Sequence, residues 1–208
     1  MNWVRHHGYW TRNQWNTVLF TDESRYCLHR IDRRARIYRR RGERFADACV
    51  NEVDRFGGGS VMVWGGISFS ARTQLIIVHG NLTGQRYRDE ILAPVVAPFF
   101  NANRNVTILQ QDNARCHTAR ISVDFIRQQH NDILPWPARS PDLSPIEHMW
   151  DALDRRVRLR QPQTLRQLRD ILVQEWNLIP QQQSRTLLNS MRRRCTAVRN
   201  ANGGHTSY

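Results

Sequence analysis

The sequence contains no lysine, and all 31 of its basic residues are arginine. A P-loop needs a lysine on the nucleotide phosphates, and Schiff-base catalysis needs a lysine amine, so both kinds of site are excluded. The planar fork of arginine suits bidentate phosphate contacts, although a bias in codon usage would leave the same composition. The absence of lysine therefore excludes mechanisms without selecting one.

Cysteines and long apolar runs are also scarce. The longest nearly apolar run covers residues 91–100 and contains two prolines, which is too short to span a bilayer. No secretory signal follows Met1. Neither a zinc cluster nor a disulfide framework is supported, because no CxxC pair exists among Cys27, Cys49, Cys116 and Cys195. We expect a soluble protein in a reducing, intracellular compartment, with no membrane partner.

Positive charge is what the chain has in excess. The 31 basic residues face 18 acidic ones, giving a net charge of +13 over 208 residues. This balance is typical of proteins that bind polyanions, and a merely basic, ribosomal-type protein is the alternative. Arginines cluster at residues 33–44 and again at residues 192–194. The first cluster has three open interpretations: DNA contacts, a nuclear import signal or a solvated face. The candidate DNA contacts are Arg33, Arg34, Arg39, Arg40, Arg41, Arg192, Arg193 and Arg194.

The order of predicted elements indicates the fold class. A β-branched, apolar run over residues 16–21 predicts a buried strand that ends at Asp22. Further strands are predicted at 25–30, 35–40, 60–67, 74–79, 106–111 and 133–136. Helices are predicted over 83–101, from a Thr118 cap to residue 129, and from Ser144, Thr164 and Pro180 onward. We therefore expect an α/β fold, a mixed sheet flanked by helices, with a helical C-terminal end.

Three carboxylates occupy positions that suggest a shared cleft. Asp22 and Asp112 each end a predicted core strand, and Glu147 lies in the first turn of a helix after a Pro-rich loop. An oxygen-only cluster of this kind suits two divalent metal ions that act on a phosphodiester. Each acid taken alone is more often a helix cap or a turn residue, so position alone leaves both interpretations open.

The neighbours of these acids have plainer interpretations. Glu23 should point away from Asp22 on a strand, which favours a structural role. The adjacent side chains of Cys116 and His117 should diverge, which argues against a thiol–imidazole dyad. The sequence leaves two roles open for His117, a helix cap or a phosphate contact. Trp64, Trp136 and Trp150 are predicted to be core residues.

Several linked motifs carry a resemblance to a known family. They cover residues 18–24 (VLFTDES), 110–117 (QQDNARCH) and 136–150 (WPARSPDLSPIEHMW), together with residues 55–67 and 203–208. Asp112 and Glu147 are separated by 34 residues. This set resembles the Tc-like branch of the Tc/mariner superfamily of DNA transposases over nearly the whole chain. Cys116 departs from the pattern, because the family usually has proline at that position.

The resemblance implies a ribonuclease H-like fold and a DDE catalytic triad. Transferred by motif, the triad and metal ligands are Asp22, Asp112 and Glu147, which would hold two Mg²⁺ or Mn²⁺ ions. The implied activity is cut-and-paste transposition, in which transposon-end DNA is cleaved and its 3′-hydroxyl is joined to target DNA. The expected partners are DNA and, in a homodimer, a second copy of the chain, with no small-molecule substrate and a nuclear location.

The resemblance also sets expectations for organisation. Residues 1–14 are predicted to be a lead-in or linker, residues 15–160 the catalytic domain, and residues 161–208 its helical C-terminal extension. Complete family members carry an N-terminal pair of helix-turn-helix units, and we expect this sequence to begin after them. Two alternatives follow, a non-catalytic DNA-binding remnant of a transposon and a fragment that assembles with full-length transposase.

Overall fold

A single mixed β-sheet forms the centre of the molecule. The structure is a computed structural model that describes residues 2–28, 59–138 and 140–204, together with Thr206 and Tyr208. Five strands lie in the order β3-β2-β1-β4-β5. The pairs β3–β2 and β2–β1 are antiparallel, and the pairs β1–β4 and β4–β5 are parallel. They are β1 (Val18–Cys27), β2 (Ser60–Ile67), β3 (Ile76–Val78), β4 (Ile108–Gln110) and β5 (Asp132–Leu134).

Helices cover both faces of this sheet. The first group is α1 (Asn2–His7) and α2 (Arg12–Asn16), and the second is α3 (Gly84–Tyr87), a π-helical stretch (Arg88–Val96) and α4 (Ala97–Ala102). They are followed by α5 (Arg115–Thr118), α6 (Arg120–Gln128) and a 3₁₀ turn (Pro141–Leu143). The C-terminal part contains α7 (Pro145–Leu159), α8 (Leu165–Leu178), α9 (Gln181–Asn189) and α10 (Met191–Asn200). In the part of the chain that the structure describes, no helix combines the length and apolarity needed to cross a membrane.

The two faces of the sheet carry separate apolar cores. Successive side chains of a strand point to opposite faces, so Phe20 and Leu19 of β1 enter different cores. Phe20 packs in the core that includes Trp150 of α7 and residues of α8, α9 and α10. Leu19 packs in the core built on Tyr87, the π-helical stretch and α6. We call these the α7 face and the π-helix face.

The first strand is longer than the sequence predicts. Its pairing with β2 runs without a break from Phe20 opposite Ile67 to Cys27 opposite Ser60. The prediction that the strand ends at Asp22 is therefore wrong, and Asp22 lies in its middle. A separate strand over 25–30 is wrong as well, because residues 25–27 continue β1 and pair with β2. The predicted strand at 35–40 lies outside the described residues.

Helix starts were predicted with mixed success. Helices begin after Thr83 and Thr164 as expected, and each threonine caps its helix (α3 and α8) by accepting a hydrogen bond from the amide three residues ahead. The Thr118 cap is wrong, because its hydroxyl donates backwards to the carbonyl of Ala114 and α6 begins after Ala119. Ser144 stands at the start of α7 with Pro145 next, but its side chain makes no capping bond.

Candidate active site

Strand register brings the first two carboxylates together. In the parallel pair of β1 and β4, Phe20 lies opposite Gln110, and Asp22 and Asp112 each follow two residues later. The Thr21 hydroxyl donates to the Gln110 carbonyl at 2.7 Å and ties the two strands at this level. Both aspartates thus lie two residues beyond the last pair of this parallel ladder, and both line one cleft.

The third carboxylate comes from the first turn of α7. Glu147 follows Pro145, whose fixed φ suits the first helical position. The α7 helix packs against β1, which carries its N-terminal turn to the edge where Asp22 and Asp112 lie. A cleft of about 400 Å³ is lined by all three carboxylates. The structure thus brings together the three residues that the sequence predicts as a triad.

Asp22 is held on the α7 face of the sheet by a tryptophan. The indole Nε1 of Trp150 donates to Asp22 Oδ2 at 3.0 Å. Burial, together with the charges of Glu147 and Glu23, raises the pKa of Asp22 to about 8, although the bond from Trp150 opposes that shift. Trp150 is a core residue as predicted, at 4% exposure, but sequence reasoning missed its contact with the acid.

Asp112 is held from the other side by a buried histidine. His117 Nδ1 lies 2.6 Å from Asp112 Oδ1, and its Nε2 lies 3.2 Å from Glu23 Oε1. The amide of Ala114 donates to the same Oδ1 at 2.9 Å. Burial alone would lower the pKa of His117, but its hydrogen bonds with Asp112, Cys116 and Glu23 raise it well above its usual range. The same histidine bond lowers the pKa of Asp112.

Glu23 therefore supports His117, a role that its position on β1 did not predict. Its side chain leaves the face that Asp22 occupies, as strand alternation predicts. It does not serve packing alone, because it meets the far nitrogen of the imidazole that supports Asp112. The sequence could have suggested this link only through the spacing of His117, five residues after Asp112. Sequence reasoning left His117 as a helix cap or a phosphate contact.

The cleft concentrates acidic groups without a basic side chain among its described lining residues. Desolvation and the neighbouring Asp151 raise the pKa of Glu147, so two of the three carboxyls hold their protons more tightly than usual. The described lining residues include no basic side chain, and Arg139 lies outside the described residues. The buried Oε1 of Gln110, at the same cleft, has no hydrogen-bond partner among the described residues. A cation would relieve each of these features.

The donor set fits a hard divalent cation, although the ligands are not drawn together. Carboxylate oxygens are the ligands that Mg²⁺ and Mn²⁺ prefer. Within the described ranges, no three acidic, histidine or cysteine side chains lie close enough to form a ready metal cage. Both hydrogen bonds made to Asp112 use Oδ1, which leaves Oδ2 as its available ligand atom.

The predicted DNA-contacting arginines meet different fates. Arg192 and Arg193 are exposed on α10 and stay candidates. The prediction for Arg194 is wrong, because its side chain is 1% exposed and donates to the Asp142 carbonyl and the Ser190 hydroxyl. Burial lowers the pKa of Arg194 to about 10. The remaining candidates, Arg33, Arg34, Arg39, Arg40 and Arg41, lie outside the described residues.

Comparison with known sequences gives a consistent family. Residues 17–169 match the family described as DDE superfamily endonuclease. The Tcb2 transposase of Caenorhabditis briggsae is 36% identical over 99% of this chain and 76% of its own length. The Tc1 transposase of Caenorhabditis elegans is 32% identical, again over 99% of this chain and 76% of its own length.

Solved structures give the fold. The Mos1 transposase paired-end complex with the left transposon end superposes with a TM-score of 0.75 at 16% identity, over 99% of this chain and 62% of that one. The Mos1 catalytic domain with Raltegravir and Mg gives a TM-score of 0.74 at 15% identity, over 99% of this chain and 94% of that one. The predicted ribonuclease H-like fold, a mixed sheet with flanking helices, is confirmed.

Proposed function

The chain belongs to the DDE superfamily of endonucleases and, within it, to the Tc1/mariner transposases, and we propose that it is a catalytic domain that cleaves and joins DNA. The reaction proposed is cut-and-paste transposition, with hydrolysis at a transposon end followed by attack of the new 3′-hydroxyl on target DNA. The observation that carries this proposal is the convergence of Asp22, Asp112 and Glu147 on one open cleft. The three come from two neighbouring strands and the helix packed against them.

The proposed cofactor is a pair of Mg²⁺ or Mn²⁺ ions held by the three carboxylates. When bound, such ions offset charge on the attacking and leaving oxygens of a phosphodiester. The chemistry of the donors supports this choice, since all three are carboxylates and the described residues that line the cleft include no basic side chain. Structures of the Mos1 catalytic domain with Mg and with Mn show that a related fold is found with either metal.

The protein's own part in the reaction is to hold the carboxylates in place. The indole of Trp150 fixes one oxygen of Asp22, and His117 with the Ala114 amide fixes one oxygen of Asp112. These bonds leave the carboxylates oriented before DNA arrives, which reduces the reorganisation needed in the transition state. Asp112 and Glu147 are exposed at the cleft, whereas Asp22 is half-buried.

DNA, a second copy of the chain and a nuclear location complete the proposal. The relatives are named as transposable-element transposases, and the structural neighbours include paired-end and strand-transfer complexes of Mos1. A paired-end complex holds two DNA ends, which supports a homodimer for this chain. The net charge of +13 supports an encounter with a polyanion. The nuclear location is proposed because the proposed substrate is DNA.

Cleavage with matched acid variants tests the proposal. Purified protein is incubated with supercoiled plasmid and with oligonucleotides carrying a transposon end, in Mg²⁺, in Mn²⁺ and in EDTA. We expect metal-dependent nicking that Asp112→Asn and Glu147→Gln each reduce at least about 100-fold, because each removes a ligand charge. Asp170→Asn removes an exposed carboxylate of α8 away from the cleft and should cleave as the wild type does.

Two results would contradict this function. Nicking that survives in Asp112→Asn would show that the triad is not the site. Metal-independent, salt-sensitive DNA binding without any turnover would support the non-catalytic remnant instead. Circular dichroism of each variant shows whether a loss of cleavage comes from unfolding.

A further inference from the structure

The two ends of the described chain contain no acidic residue. Neither residues 2–21 nor residues 176–208 include an aspartate or a glutamate. The same two segments hold Arg5, Arg12, Arg185, Arg192, Arg193, Arg194 and Arg199. A chain with 18 acidic residues elsewhere has therefore left these segments without any side-chain anion.

These two segments pack against each other in the fold. Helix α1 contacts α10, and α2 contacts α9, so residues distant in sequence form one basic surface. Between α2, α9 and α10 lies a groove of about 700 Å³, which we call the terminal groove. Arg12, Arg192 and Arg193 line it. It shares no lining residue with the carboxylate cleft.

The guanidinium groups of the terminal groove are available to a ligand. Arg12, Arg192 and Arg193 are all exposed, and no carboxylate pairs with them in the part of the chain that the structure describes. Arg194, the next residue in sequence, differs because its side chain is buried and donates hydrogen bonds to the Asp142 carbonyl and the Ser190 hydroxyl. On the same helix, Arg194 therefore has a structural role, whereas Arg192 and Arg193 have no carboxylate partner among the described residues.

The groove also contains a buried donor without an acceptor. Trp15 lines the groove at 2% exposure, and its indole Nε1 has no hydrogen-bond partner among the described residues. Buried polar groups are normally satisfied, and this N–H is enclosed by protein, so the exposed side chains of the groove are the ones that can reach a ligand. Asn189, Asn200 and Thr196 add exposed hydrogen-bonding side chains to the groove. The described side chains of the lining therefore offer cations and neutral hydrogen-bonding groups, and none of them is acidic.

We propose that the terminal groove binds the phosphodiester backbone of double-stranded DNA, as a second contact surface separate from the carboxylate cleft. Arginine and asparagine side chains are common phosphate donors, and such contacts position a duplex without reading its sequence. Arg194 links this surface to the cleft, because it anchors α10 to Asp142 in the turn that leads into α7. DNA held in the groove is thereby held on the same rigid body as Glu147. The inference rests on DNA being the substrate of the proposed function.

Equilibrium binding with two charge-matched triple variants tests the groove. Fluorescence anisotropy is measured with a random-sequence duplex in EDTA, so that cleavage cannot contribute, at several salt concentrations. The test variant is Arg12→Gln, Arg192→Gln and Arg193→Gln. The control variant is Arg104→Gln, Arg120→Gln and Arg127→Gln, which removes three exposed arginines beside the π-helix face of the sheet.

The groove variant should bind at least about 10-fold more weakly, with the slope of log affinity against log salt reduced by about 2 to 3. The control should change less than about threefold. Equal losses in both variants, or no loss in the groove variant, would overturn the proposal while leaving DNA binding by the wild type intact. A wild type that binds no DNA at low salt would instead contradict the proposed function itself.

A positional readout separates contact from bulk charge. A photo-crosslinking amino acid at position 196, inside the groove, should attach to the duplex, whereas one at position 101 on α4 should not. Crosslinking at 101 with none at 196 would place DNA on the other face and would also overturn the proposal.

Discussion

His117 joins Asp112 to Glu23 through the two nitrogens of one buried ring, at 2.6 Å and 3.2 Å. The two carboxylates come from neighbouring strands, and Glu23 lies on the face opposite to Asp22. A buried imidazolium between two carboxylates is stabilised in its charged form. It binds Asp112 through Oδ1, which leaves Oδ2 without a hydrogen bond from the described residues. His117 is thus a positioning residue for a proposed metal ligand.

Replacing His117 should weaken metal-dependent cleavage without abolishing it. We expect His117→Ala to reduce cleavage about 10- to 100-fold and to raise the Mg²⁺ concentration needed for half-maximal rate, because Asp112 loses its support. His117→Gln, which can still donate one hydrogen bond, should recover part of the loss. The measurements are the cleavage rate and its dependence on Mg²⁺ concentration.

Glu23→Gln is a milder variant that tests the same support of Asp112 through His117. It keeps an oxygen that can meet the imidazole and removes only the charge, so a smaller effect of the same kind is expected. If His117→Ala changed stability alone, with the metal dependence unaltered, the positioning role would be wrong.

The Asp22 carboxyl should make the metal-free protein lose stability as pH rises. Its folded pKa of about 8 lies above the usual value of 3.8, so the fold binds this proton more tightly than the unfolded chain does. The resulting contribution is fully present below about pH 4 and is lost as pH rises towards 8. Asp22→Asn should therefore be more stable than the wild type at pH 8 in EDTA, by at least about 1 kcal/mol.

Denaturant unfolding at pH 5.5 and pH 8 measures this difference. The advantage of Asp22→Asn should shrink at the lower pH, where the wild-type carboxyl is protonated in the fold. Added Mg²⁺ should raise the melting temperature of the wild type at pH 8 and leave Asp22→Asn unchanged, since ligand binding to the fold stabilises it. An equal Mg²⁺ response in both proteins would argue against Asp22 as a ligand.

The triad shows which parts of the site the sequence alone could predict. The acids were found because each stands near the end of an apolar run or in a helix turn, and the motifs tied them together. The exact end of β1 was missed, because residues 23–27 are polar and charged, and only pairing with β2 keeps them in the sheet. Propensity is weak where tertiary pairing decides.

The supporting contacts were beyond sequence reasoning for a different reason. Trp150 meets Asp22 across 128 positions, and His117 meets Glu23 across 94. No local period relates such pairs. Arg194 was grouped with Arg192 and Arg193 because the three are consecutive, yet a helix turns each residue by about 100°. That rotation sends Arg194 into the core and leaves its two neighbours in solvent.

Gly65 should prove essential to the tryptophan that holds Asp22. It lies directly opposite Asp22 on β2, and a Cβ there would stand 2.9 Å from Trp150 Cη2 and 3.2 Å from Trp176 Cζ2. Rigid indole rings cannot yield as a flexible chain end can, so Gly65→Ala should cost about 1 to 3 kcal/mol of stability. Denaturant unfolding measures this cost. The Mg²⁺ concentration needed for half-maximal cleavage should also rise in Gly65→Ala.

Gly80→Ala is the comparison for that variant. No atom lies within 4 Å of a Cβ at position 80, so only its positive φ of 62° opposes the substitution, at a cost of about 1 kcal/mol. It should not alter the metal dependence. If both glycine variants moved the metal dependence equally, crowding of Trp150 would not be the cause.

Arg194 should be a stability residue, in contrast to its exposed neighbour Arg193. Its guanidinium donates to the Asp142 carbonyl at 2.9 Å and to the Ser190 hydroxyl at 2.8 Å, and lies 4.7 Å from the centre of the Tyr208 ring. Arg194→Gln should lower the free energy of unfolding by about 2 to 4 kcal/mol, because shortening the side chain leaves buried acceptors unsatisfied.

Arg193→Gln should change stability by less than about 0.5 kcal/mol, since its side chain is exposed. Hydrogen exchange locates the effect. The amides of residues 142–144 and 146–147 should exchange faster in Arg194→Gln, because Asp142 loses the bond to its carbonyl and keeps the two that its carboxylate accepts from the Thr206 amide and hydroxyl. Unchanged exchange there, with the loss of stability confined to α10, would show that Arg194 stabilises its own helix and not the turn that leads to Glu147.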